Sequence, residues 1–319
     1  MARWLALALF VGCAPVSGGA SPAAQTPAEL RGERQVAGLS LVLTLRDGDG
    51  ARARAAMDAA WNAADRTARR LLADVEASEI QLLNRVPMRV AIEVSPETAA
   101  ALRRAQDIAL DTGSAFEITL PPLRRLWSGA DGEAPRDFEI DRVLADVDWS
   151  DVQVDDERPV VARYSRRTQV DLEGFARGAV LDAALRALRD AGVPAGRASA
   201  GDGHAVYGGE EPWQLSLWAG FPGVSPATLA LSEGGAVAVA ATNGGEFLDP
   251  RSGRPVATTG SQATLVVAPD AASAAAYAYA VFVMGDQGPA FLGKRPELRG
   301  AGVLASGKRW GSGELDLRW

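Results

Sequence analysis

The 319-residue chain has one cysteine, Cys13, and one histidine, His204. A lone cysteine excludes an internal disulfide and a cysteine-based zinc site, and a lone histidine excludes a multi-histidine metal centre. Basic charge is also scarce. Lysine and arginine number 33 against 40 acidic residues, a formal net charge of -7, so the positive field that a nucleic-acid partner needs is missing. Arg163, Arg166 and Arg167 do cluster, at a place where a hairpin turn is expected, and they read as a solvated turn. The apolar run near the start, Trp4 to Val11, falls well short of the roughly 20 residues that span a bilayer. No Gly-x-Ser-x-Gly elbow occurs, which removes the usual setting for a serine hydrolase.

What is present has the balance of a globular protein. Hydrophobic residues make up 47% and charged residues 23%, which at this length is enough to build a sizeable core. The first residues read as a targeting segment, with Arg3 ahead of the apolar run and small residues after it. The order Phe10-Val11-Gly12-Cys13 resembles a bacterial lipobox, in which the cysteine becomes the lipidated N-terminus; plain secretion with cleavage near Ala20 or Ala24 is the other reading. On the lipobox reading, residues 1–12 are a signal peptide. Residues 13–35, rich in Ala, Ser, Pro and Gly, are a flexible tether, and 36–319 are the folded domain. The location implied is a bacterial cell envelope, with contact to the membrane through the lipid on Cys13 alone.

Val36 to Arg46 reads as a first strand ending at the turn Asp47-Gly48-Asp49-Gly50. Apolar spacing predicts a long amphipathic helix over Arg52 to Val75. Ser95 as N-cap and Pro96 at the first helical position predict a helix to about Asp111, stopping before Gly113. A strand pair follows near Val152 to Asp171, then a helix from about Gly178 to Ala191 closed by Gly192. Short strands are expected at Trp213–Ala219, Ala227–Leu231, Ala236–Ala241 and Thr264–Ala268, and a small-residue helix at Ala271–Met284. Strands and helices mix without strict alternation, so the fold class is α+β: a single large domain of mixed sheets and helices.

Gly113, Gly174, Gly178, Gly201, Gly203, Gly244 and Gly245 punctuate strand ends, where backbone either turns or approaches a ligand closely. Gly178, opening a helix, would offer N–H groups to a phosphate, and Arg177 just before it could add a charge-assisted contact. Asp171, Asp182, Asp202 and Asp249 are candidates for contacts to a ribose, an adenine edge or a metal-bound water, and equally for caps and turns. His204, after Gly201-Asp202-Gly203, reads as a structural or surface residue.

Four stretches taken together resemble the FAD:protein FMN transferase (ApbE-type) family. Ala77 to Asn84 is similar to a family segment ending in Leu-Asn. Thr112 to Trp127 resembles the Thr-Asp-Gly-Ala-Phe-Asp-Pro-Thr stretch and the Leu-Trp beyond it. Val170 to Asp182 stands where the family has Asp-Leu-Gly-Gly-Ile-Ala-Lys-Gly followed by an Asp. Ala241 to Val256 is similar to a Ser-Gly segment and the His-Ile-Ile-Asp-Pro-x-Thr-Gly motif. Order and spacing match over roughly residues 36 to 310.

The resemblance implies an ApbE-like, T-fold-like architecture and FAD as substrate or ligand. It also implies magnesium-assisted phosphoryl transfer of FMN from FAD to a Thr or Ser hydroxyl of an exported flavoprotein acceptor. Cofactor contacts then fall on Asn84, Thr112, Gly113, Glu173, Ala176, Arg177, Asp182, Asn243 and Asp249. The implied metal ligands are the Ala176 backbone carbonyl and an Asp and a Thr four residues apart on one helix, positions held here by Ala275 and Tyr279. An alanine methyl cannot ligate magnesium, and a neutral phenol is a poor ligand for so hard an ion. Arg177 replaces the family lysine, Glu246 its histidine and Asn243 its serine, and the loop joining those last two motifs is shortened. The alternative implied by these departures is a catalytically degenerate envelope lipoprotein that binds a flavin or a partner protein.

Overall fold

A computed structural model describes residues 29–129, 134–217, 227–231, 234–241, 247–256 and 260–318. The first strand expected from Val36 is in fact the second arm of a hairpin, Glu29–Val36 paired antiparallel with Leu39–Arg46. Ala37 and Gly38 join the arms, both at positive φ (47° and 83°), which a two-residue turn needs to follow the twist of its strands. Residues 29–35, expected in the tether, therefore belong to an edge strand.

That hairpin opens an eight-stranded sheet. Its order is Glu29–Val36, Leu39–Arg46, Ala195–Ala200, Gly203–Tyr207, Gly235–Ala241, Ser261–Ala268, Arg299–Leu304, Arg309–Ser312, with neighbouring strands antiparallel. Side chains alternate between its faces. Ala236, Ala238 and Ala240 join a core with three helices, Gly50–Leu71, Glu173–Asp190 and Ala271–Met284. Val206, Val237, Leu265 and Val267 instead meet a three-stranded sheet made of Trp213–Leu217, Ala227–Leu231 and Asp316–Arg318.

Local sequence explains the helices. In Gly50–Leu71 the buried residues Ala53, Met57, Ala60, Ala64, Ala68 and Leu71 repeat at helical spacing, and the Asp49 carboxylate accepts from the N–H groups of Ala51 and Arg52. Ser95 caps Pro96–Asp111 as its sequence predicts, accepting from Thr98 N–H. Ala271–Met284 is small and apolar on most sides and is buried accordingly.

Two further expectations are corrected. Gly178 does not open a helix: the helix starts at Glu173, and Gly178 lies in its second turn. A Cβ there would sit 2.3 Å from the Ala271 carbonyl oxygen and 2.5 Å from the Ala272 nitrogen, so the glycine serves close helix–helix packing. Arg163 is not solvated. It ends the strand Val160–Arg163, is buried, and donates to the carbonyls of Leu83, Asn84, Val86 and Thr168, whereas Arg166 and Arg167 are exposed.

Candidate functional site

The hairpin turn at Ala200–Gly203, the strand Gly235–Ala241, the start of the 173–190 helix, one face of the 271–284 helix and the segment Phe116–Arg124 enclose a cavity of about 590 Å³. Small-molecule sites span roughly 300–1,000 Å³. Of the residues singled out in the sequence, the cavity brings together Asp171, Glu173, Gly174, Arg177, Gly178, Gly201, Asp202, Gly203, Ala275 and Tyr279.

The approach to the 173–190 helix is fixed from outside. The Asn84 amide donates to the Val170 carbonyl and accepts from Val170 N–H, both at 2.7 Å, as a strand partner would. Next in the chain, Asp171 N–H donates to the Ile118 carbonyl at 2.8 Å. Its carboxylate accepts from Glu173 N–H at 2.9 Å and from Arg124 Nη1 at 3.1 Å, while Arg124 Nη2 is paired with the Glu173 carboxylate. Burial pushes the Asp171 carboxyl above its ordinary range. Glu173 has φ of +23°, a conformation L-residues avoid, at a position where the resembling family has glycine. Asn84 is thus a positioning residue beneath the cavity wall, with Asp171 on the wall itself.

Arg177 is exposed, lines the cavity one helical turn beyond Glu173, and among the described residues has no ion-pair partner. Phe116, Phe247 and Tyr279 supply an aromatic side, with Tyr279 5.3 Å from Phe247 and 6.5 Å from Phe116 between ring centroids. Glu117 is 4% exposed and accepts from the N–H groups of Ile118, Thr119 and Trp149 and from the Thr119 hydroxyl. Burial, opposed by those donors, pushes its carboxyl up to about 7.

Other candidates serve the scaffold. Thr112 ends the 96–111 helix, its hydroxyl donating to the Ile108 carbonyl at 2.7 Å, and Gly113 follows at a φ of 58°. Asp182 accepts from Ala271 and Ala272 N–H at 2.8 and 3.0 Å, so it caps the neighbouring helix. Asp249 accepts from the backbone and guanidinium of Arg251 within the turn closed by Gly253. None of these four lines the cavity. His204 is buried with Nδ1 2.8 Å from Ser199 Oγ on the opposite face of the sheet, and burial pulls it down to about 4. Asn243, Gly244, Gly245 and Glu246 lie outside the described residues, as does Cys13.

The donors do not fit a magnesium ion. Ala275 and Tyr279 both face the cavity, as their i, i+4 spacing requires, yet Ala275 offers no donor atom. The Tyr279 hydroxyl donates to the Leu248 carbonyl at 2.8 Å, and burial raises it so that it stays neutral. Ala176 is fully buried at the end of the first turn of its helix, where a carbonyl is ordinarily taken by the N–H four residues on, and it does not line the cavity. Asp270, the nearest carboxylate in sequence before Ala275, caps Ser273 N–H and pairs with Arg104. Among the described residues no three carboxylate, imidazole or thiol groups are placed to share a metal.

Sequence reasoning passed over Glu117 and Arg124. Both fall inside the stretch Thr112 to Trp127, and the usable signal was complementary charge: an arginine there and a glutamate replacing glycine at 173.

A model of the ApbE family matches residues 38–301. Solved structures of similar fold include an ApbE protein of Thermotoga maritima, 23% identical, with 89% of this chain and 97% of that one covered at a TM-score of 0.78. The flavin transferase ApbE of Vibrio cholerae is 17% identical, covering 90% and 97% at a TM-score of 0.76. The flavinyl transferase ApbE of Pseudomonas stutzeri, in its apo form, is 18% identical, covering 90% and 96% at 0.77. No protein of curated description matches the chain.

Proposed function

Because the chain belongs to the ApbE family, we propose that its cavity binds FAD and that this member does so without magnesium-assisted transfer of FMN. The observation that carries the reading is the pair Ala275 and Tyr279: the cavity is open, but the helix face that would hold a metal presents a methyl group and an already engaged phenol. Ligand binding is supported by the remaining lining. Phe116, Phe247 and Tyr279 offer flat apolar surface for a ring system. Gly201, at a φ of 56°, and Gly203 let backbone come close, and Arg124 and Arg177 provide positive charge.

In this reading the protein is a flavin-binding relative in the bacterial cell envelope, tethered through Cys13, and no acceptor hydroxyl is modified. Titration of FAD into the purified protein in EDTA or in magnesium tests it, with analysis of the mixture for released AMP. Binding indifferent to magnesium, with FAD intact, is expected. Magnesium-dependent cleavage of FAD would overturn the non-catalytic reading, and absence of any flavin binding would overturn the flavin reading itself.

A further inference from the structure

Arg124 and Glu173 both line the cavity and are paired with each other. Asp171, the second partner of Arg124, is anchored at both ends: its N–H donates to Ile118, and its carboxylate also accepts from Glu173 N–H. It therefore fixes the guanidinium in place. The Glu173 side chain is 46% exposed and has no partner among the described residues except Arg124. It is carried on backbone at a φ of +23°, where glycine would sit without strain. A strained residue that contributes one exposed carboxylate to one arginine points to a purpose for that carboxylate.

We propose that Arg124 is the resident cation for a diphosphate group in this cavity, and that Glu173 occupies it until the phosphate oxygens of a ligand displace the carboxylate. The planar fork of a guanidinium suits phosphate as well as carboxylate, so the Glu173 oxygen marks where a phosphate oxygen would bind. Displacing it needs no rearrangement of Asp171. Arg177, four residues after Glu173 and so on the same helix face, is placed to take the second phosphate. Cation charge then comes from side chains, and binding needs no magnesium.

The inference deepens the FAD reading and rests on it only for the flavin portion of the ligand, so inorganic pyrophosphate is the first probe. Calorimetric titration in EDTA is expected to show binding to the wild type. Glu173→Gly should bind about tenfold more tightly, and Arg124→Met about tenfold more weakly, the worth of one charge-assisted contact. The double variant should not recover the gain, and Arg124→Lys should restore only part of the loss. A gain in Glu173→Gly cannot come from misfolding, and thermal melts check the other variants. Equal affinity in the wild type, Glu173→Gly and Arg124→Met would overturn the proposal, as would no pyrophosphate binding, or binding that requires magnesium. FAD titrated into the same variants separates the two readings. Pyrophosphate binding that follows the expected order, with no FAD binding, leaves the subsite standing and removes the flavin. FAD binding that is equal in all variants does the reverse.

Discussion

Burial and hydrogen bonding pull Glu117 in opposite directions. Desolvation disfavours its charged form, whereas three backbone N–H groups and one hydroxyl favour it, and burial wins, leaving the carboxyl near 7 against an ordinary 4.5. Between those values the native state holds a proton that the unfolded chain has released. Stability from this group is therefore complete below about pH 4.5 and is lost as pH rises through 7. The shift corresponds to about 3 kcal/mol. Glu117→Gln cannot titrate, so denaturant unfolding at pH 4.5 and pH 8 should show the wild type losing about 3 kcal/mol relative to the variant across that interval. A difference between the two proteins that stays constant with pH would show that the carboxyl is not shielded from water. Residue type alone gives no hint of this behaviour. Glu117 looks like any other acidic residue in the sequence, and its character comes from the walls folded around it. Arg163 carries the same lesson with the sign reversed: three nearby arginines read as one solvated group, yet only this one finds four carbonyls and goes inside.

The helices Glu173–Asp190 and Ala271–Met284 meet where one has glycine and the other bare backbone. Gly178→Ala would drive a methyl to within 2.3 Å of the Ala271 carbonyl oxygen, and relief requires the helices to part. Overpacking of this kind costs about 3 kcal/mol or more. A lowered denaturation midpoint for Gly178→Ala is the expected result, and an unchanged midpoint would mean that the crossing is looser than described. Boundaries were legible where a side chain marks them. Ser95 with Pro96, and the small-residue run after Asp270, announce their helices locally. The start at Glu173 carries no such mark, because Leu172 caps without a side-chain hydrogen bond and a glutamate holds a backbone shape that favours glycine. The turn at Ala37–Gly38 is similarly hidden, since alanine is an unusual residue at positive φ.

At the scale of the molecule, mixed helices and strands were enough to give the α+β class, and the spaced motifs gave the family. The order of the sheets was not readable, because their pairings join segments far apart in the chain: in the eight-stranded sheet Leu39–Arg46 lies beside Ala195–Ala200, and in the three-stranded sheet Asp316–Arg318 pairs with Ala227–Leu231. The cavity inherits that difficulty, since its lining comes from segments between Phe116 and Tyr279 that only tertiary packing brings together. The proposed envelope tethering through Cys13 is tested on the whole protein. Cys13→Ala should move it from the membrane fraction to the soluble exported fraction in a bacterial host, and continued membrane association would remove lipidation from the account.

Among the described residues the sheet is open rather than closed into a barrel, and its edge strand, Glu29–Val36, has one side of backbone that pairs with no other described strand. Such a rim is a template on which another copy could continue the hydrogen-bond ladder. Exposed Glu29, Arg31, Glu33 and Arg34 line it with alternating charge, and a second chain arriving there would have to strip water from those groups. The acidic and basic residues of a short terminal strand thereby guard against polymerisation, in a protein whose proposed anchorage would crowd many copies onto one surface.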